Sequence, residues 1–72
     1  DAIRAEYKHA CRSYEPFHSA HEGLAILLEE VEELKDEVFR KSENRDWVAM
    51  RREATQVAAM AIRFITDVCG DK

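Results

Sequence analysis

Apolar positions recur every three or four residues in three separate blocks, the spacing of amphipathic helices. In the first block Ile3, Tyr7, Ala10, Cys11 and Tyr14 share one face, and Pro16 ends it because the residue before a proline is pushed out of the helical region. In the second, Leu24, Leu27, Leu28, Val31, Leu34 and Val38 form the apolar face. Ser19 followed three residues later by Glu22 predicts a capping box at its start. Its end is expected near Lys41, where basic residues suit the negative end of the helix dipole. The polar stretch Ser42 to Arg45 is a short connection, with Asn44 or Asp46 available to cap the third helix. That helix presents Trp47, Met50, Ala54, Val57, Ala61, Phe64 and Val68 on one side, and Gly70 stops it in a left-handed conformation.

A short link between two long helices makes them antiparallel neighbours. The pattern therefore predicts an all-α antiparallel bundle of three helices, two of them long, forming one domain over residues 1–72. Two glycines and one proline leave little material for hairpins. A chain of 72 residues buries only roughly 60% of its unfolded surface. Three helices leave the second and third under-covered, so completion by self-association, most simply a homodimer, is expected.

Charge changes the picture through its placement. Fifteen acids and eleven bases leave a net charge of −4, which argues against a nucleic-acid polymer as partner. The segment from Glu22 to Glu37 alone carries −6, and the other 56 residues carry +2. The longest apolar run, Val57 to Ile62, is far short of the ~20 residues of a membrane span. Two cysteines, Cys11 and Cys69, without a visible signal peptide fit free thiols in a reducing compartment, so a cytoplasmic setting is expected. Both lie on or beside apolar faces, which favours burial; a disulfide between the first and third helices is the alternative.

On the second helix Ile26, Glu30, Glu33 and Glu37 form a stripe flanking the apolar face. Solvated carboxylates are the ordinary reading of such a stripe. The third helix alters it, because Glu53 falls inside that helix's apolar face, between Met50 and Val57. A buried carboxylate is normally paired, protonated or bound to metal. Antiparallel packing turns Glu53 toward the acidic stripe, and carboxylates converging from two helices suit a hard divalent cation. A salt bridge from Lys35 to Glu53 is the competing arrangement.

The run Leu28-Glu29-Glu30-Val31-Glu32-Glu33-Leu34 resembles the E-E-x-x-E-L motif of the MazG-like, all-α nucleoside triphosphate pyrophosphohydrolases. The second motif of that family, E-x-x-D, has its counterpart in Glu53-Ala54-Thr55-Gln56, with glutamine in place of the last aspartate. The resemblance covers roughly Ser19 to Cys69. It implies Mg2+ as cofactor and Glu30, Glu33 and Glu53 as its ligands. Glu29 would then be a supporting acid and Gln56 a weaker, neutral oxygen donor. It also implies a nucleoside triphosphate substrate, with a standard or non-standard base, split into monophosphate and pyrophosphate, and a substrate cleft built by self-association.

Arg52 and Arg63, on the flank of Gln56, are candidates for phosphate contacts, against surface pairing with the acidic helix. His18 and His21 lead into the second helix, whose positive end suits an anionic group. His9 is expected to face solvent. Tyr14, Phe17 and Trp47 are candidates for stacking on a base or, more simply, for packing helix ends. Met50 and Met60 read as core filler. The competing functional classes are a non-catalytic helical interaction module and a nucleotide-binding sensor without turnover.

Overall fold

The structure, a computed structural model, describes residues 1–40 and 42–70. Three helices run up, down and up: α1 (Ala2–Ser13), α2 (Ala20–Val38) and α3 (Trp47–Phe64). A single 3-10 turn (Ser42–Asn44) joins α2 to α3, and α3 runs on into a π-turn (Ile65–Cys69). No strand occurs among the described residues. The all-α antiparallel bundle read from the periodicity is the observed fold.

Local chemistry sets the helix ends. The Asp1 carboxylate accepts from the Arg4 N–H at the start of α1. Ser19 caps α2 by accepting from the Glu22 N–H at 3.0 Å. Glu22 reaches back one residue further than a capping box requires, accepting from the His18 N–H at 2.9 Å rather than from Ser19. Asp46, not Asn44, caps α3 and accepts from both Val48 and Ala49. α1 ends before Pro16, with Tyr14 already extended. α2 stops at Val38, short of the expected end near Lys41, which lies outside the described residues. Arg40 instead folds back to hold the Glu37 carboxylate through both of its oxygens. Gly70 does end the last turn, but its φ of −2° is not left-handed. Glycine is required there because a Cβ would sit 2.7 Å from the Thr66 carbonyl oxygen.

α3 is the central element, since α1 and α2 each pack on it and scarcely touch one another. The core is small: Ala10, Phe17, Ala59 and Met60, flanked by Tyr7, Ile26, Leu27, Phe64 and Val68. The end of α1 is pinned to the end of α3. The buried Arg63 donates from Nη2 to the Glu15 carbonyl at 2.7 Å and stacks over the Phe17 ring at 4.4 Å. Asp67, 3.8 Å from Arg63, accepts from the Phe17 N–H at 3.1 Å.

The apolar faces are not all buried as the periodicity predicts. On α2 the inward positions are Gly23, Ile26, Leu27, Glu30, Leu34 and Glu37, while Leu24, Leu28, Val31 and Val38 are exposed. At about 100° per residue the buried face is turned roughly 80° from the centre of the apolar arc, toward the acidic flank. Gly23 permits this approach, because the Phe17 and Phe64 rings occupy the space where its Cβ would stand. On α3, Trp47 and Ala54 face outward, and Ala49, Ala59, Met60 and Arg63 are buried, because α3 has neighbours on two sides. On α1, Cys11 and Tyr14 are exposed, and Cys69 is too; both cysteines are free thiols on the surface rather than buried.

Candidate metal centre

Turning α2 by its acidic flank toward α3 brings carboxylates to the helix interface. Glu30 and Glu33, three residues apart, share a side of α2, and Glu53 meets them from α3. One oxygen from each of the three lies within 4.8 Å of the others. The Glu33 carboxyl stands close enough to both Glu30 and Glu53 to raise each of them. Glu30 and Glu53 are half-buried and Glu33 is exposed.

The electrostatics follow from this geometry. Burial, then the neighbouring Glu33, Glu53 and Glu29, pushes the Glu30 carboxyl up to about 7 from an ordinary 4.5. Glu53 is also raised, first by burial and then by Glu33 and Glu37; the Arg52 guanidinium works against the rise. Both groups are in the state that a bound cation would relieve. Two oxygens on opposite sides of one Mg2+ stand about 4.2 Å apart, and of one Ca2+ about 4.6–5.2 Å. Neighbouring oxygens on one Mg2+ stand only about 3 Å apart, so the three carboxylates, whose oxygens lie within 4.8 Å of one another, would close in on binding.

Lys35 does not reach Glu53; it pairs with Glu32 on its own helix at 3.2 Å. The salt-bridge arrangement is therefore not the one adopted.

Beside the trio lies a cleft of ≈ 520 Å³ between α1 and α2. Glu30 belongs to both. Gln56, Met60 and Arg63 of α3 lie between walls contributed by α1 (Glu6, His9, Ala10) and α2 (Ile26, Glu29). The linker adds Tyr14 and Phe17. Glu29 and Gln56, expected as accessory groups, thus face the same space as Glu30. His9, expected to face solvent only, is exposed and also lines the cleft.

Of the other expected groups, Arg63 borders the cleft, whereas Arg52, His18 and His21 lie elsewhere. Arg52 is exposed and lines a shallower depression between α1 and α3, with Ala2, Ala5, Glu6 and Gln56 among its other lining residues. Arg63 is 3% exposed and is held by Glu15, Asp67 and Phe17, so it does not pair on the surface with the acidic helix. His18 lies 3.5 Å from Glu15 and 3.6 Å from Glu22, and neither it nor His21 lines the cleft. Trp47 stands on the surface with Arg45 5.8 Å above its ring. Sequence reasoning missed the knot around Arg63, for which the only signal was a cation spaced four residues from Asp67.

No family profile, curated protein or solved structure matches the chain. No helix among the described residues is long and apolar enough to cross a membrane.

Proposed function

We propose that the chain is a divalent-metal-dependent nucleotide pyrophosphohydrolase of the MazG-like kind, acting on nucleoside triphosphates. The observation that carries this reading is the convergence of Glu30, Glu33 and Glu53 from two helices, with Glu30 also lining the adjoining cleft. Those three residues would hold Mg2+, and Gln56 would add a neutral oxygen. When bound, the cation would neutralise charge on the phosphates and lower the pKa of an attacking water.

The chain's own groups divide the remaining work. Glu29 faces the cleft without belonging to the trio, so its carboxylate is free to take a proton from water. Arg52, next to Glu53 in sequence and close enough to oppose its pKa rise, would offer a guanidinium to a phosphate oxygen held on the Glu53 side of the trio. Arg63 acts by holding the linker that carries Tyr14 and Phe17, both on the cleft wall. The ≈ 520 Å³ space lies within the range of small-molecule sites.

The test is magnesium-dependent pyrophosphate release over a panel of nucleoside triphosphates, beside Glu53→Gln and Glu30→Gln. Turnover that both substitutions abolish supports the reading. Turnover that neither affects overturns the residue assignment. A magnesium-linked rise in melting temperature without turnover points to a nucleotide-binding sensor. Absence of both leaves a helical interaction module, a reading that the exposed leucines of α2 favour.

A further inference from the structure

A second space lies at the other end of α1 from the knot around Arg63. It is a depression of ≈ 420 Å³ between the first turns of α1 and the first half of α3. Ala2 and Ala5 present only methyl groups to it, and Val48, 70% exposed, borders it from α3. These small side chains leave the space open, with an apolar floor. Arg51 and Arg52 line the same space, and neither makes an ion pair among the described residues. Arg40 and Arg63, by contrast, each have a carboxylate. Thr55 gives its hydroxyl proton to the Arg51 carbonyl at 2.8 Å, so the side-chain donors left on this wall are the two guanidiniums and the Gln56 amide.

The surrounding charge has the same sign. α1 and α3 each carry three bases against one acid, whereas the −6 segment from Glu22 to Glu37 lies on α2. A positive field on this side of the molecule draws small anions toward it. Glu6 is the one acid among the lining residues, and it borders the cleft as well. It repels a second negative charge at that edge, so the depression suits a ligand with a single anionic head.

We propose that this depression is a binding site for an organic oxyanion, a carboxylate or phosphate monoester on a short apolar body. The two guanidiniums take the head, each offering a planar fork of donors that matches an oxyanion. The apolar body lies on Ala2, Ala5 and Val48 and removes their methyl groups from water. The volume is within the range of small-molecule sites. Because Glu6 and Gln56 border both spaces, an occupant here touches a wall of the cleft without entering it. The site uses none of Glu30, Glu33 and Glu53, so it does not depend on the metal centre.

Titration calorimetry and amide NMR shifts test it, in EDTA and at low salt, so that no divalent cation takes part. The probes are phenyl phosphate and benzoate; inorganic phosphate and benzyl alcohol supply the head and the body alone. At least one aryl oxyanion is expected to bind about tenfold more tightly than either control. Its shifts should fall on the amides of Ala5, Val48, Arg51 and Thr55. The tighter of the two probes names the headgroup. Arg51→Gln and Val48→Asp are each expected to weaken binding about tenfold. Both side chains are exposed, so neither change removes buried packing. If a variant fails to fold, the shift map of the wild-type chain decides. A wild-type chain that binds neither aryl oxyanion overturns the proposal. So does binding that Arg51→Gln and Val48→Asp both leave unchanged. Inorganic phosphate held as tightly as phenyl phosphate overturns it too, as do shifts confined to His9, Ile26 and Glu29 of the cleft.

Discussion

Glu33 is the carboxyl that Glu30 and Glu53 both meet, and it contributes to the rise of each. Replacing it by glutamine removes a negative charge while keeping a side chain able to donate and accept. In metal-free protein at pH 8, Glu33→Gln should stabilise the fold by about 1 kcal/mol, since like charges at a half-buried site disfavour ionisation. For a domain of this size that is about 4–8 °C in melting temperature. The same variant should lose most of any magnesium-linked stabilisation, and differential scanning fluorimetry with and without Mg2+ reads both effects. A fall in metal-free melting temperature would mean that the trio is held by something other than mutual repulsion relieved by protons. Arg63 shows the opposite logic. Its Nη2 satisfies the Glu15 carbonyl, its guanidinium covers Phe17, and its Nε is buried with no partner. Arg63→Met keeps most of the volume but strands that carbonyl and leaves Asp67 without its cation. A loss of about 3 kcal/mol is expected in urea unfolding. Arg63→Lys should lose less, because an ammonium keeps the charge but cannot stack and fork in the same way.

At the level of helices, Gly23 decides how α2 lies on α3. A methyl at this position would stand 2.7 Å from the Phe64 ring and 2.9 Å from the Phe17 ring, so one ring must move. Alanine favours helix by about 1 kcal/mol over glycine, whereas overpacking of this kind costs about 1–3 kcal/mol. Gly23→Ala is therefore expected to destabilise by about 1 kcal/mol and to draw α2 back from α3. Circular dichroism should show helicity preserved while the melting temperature falls. That close contact also explains which parts of the structure were legible beforehand. The three helices and the Ser19 and Asp46 caps depend on neighbours within one turn, and a sequence displays those directly. The convergence of Glu30, Glu33 and Glu53 was legible because Glu53 interrupts an apolar stripe, and that interruption survives without coordinates. The rotation of α2 was not legible. The rule that the widest apolar arc faces inward does not foresee the close approach that Gly23 allows to the Phe17 and Phe64 rings, which leaves Leu24, Leu28 and Val31 outside. Arg63 was hidden for a different reason, because α3 has two neighbours and its second buried face passes through a cation. Trp47 and Tyr14 lie at helix ends where the face is no longer covered, so their size was no guide to burial.

For the whole molecule, the metal centre couples stability to pH and to cation in a definite order. Glu30 titrates near 7 in the folded chain and near 4.5 when unfolded. Between those values the folded state binds more protons than the unfolded state, so stability falls as pH rises. The contribution is fully present below pH 4.5, is lost progressively from pH 4.5 to about 7, and is gone above that. The raised Glu53 adds to the fall with the same sign. Most small domains gain stability over this range as salt-bridged carboxylates ionise, so a metal-free chain that weakens from pH 5 to 8 is a distinctive outcome. For Glu30 alone the drop is bounded at about 3 kcal/mol by the size of its shift. Magnesium should reverse the trend, because it binds the ionised carboxylates and is excluded by their protons. Its stabilising effect is expected to be absent at pH 5 and to grow through pH 7. Thermal melts over pH 5–8 with EDTA and with Mg2+ give two curves that should diverge upward from about pH 6. In Glu30→Gln the metal-free curve should lose most of its downward slope and the two curves should run together. Parallel curves in the wild type, offset equally at pH 5 and pH 8, would show that any cation effect comes from screening of the −6 segment and not from a site.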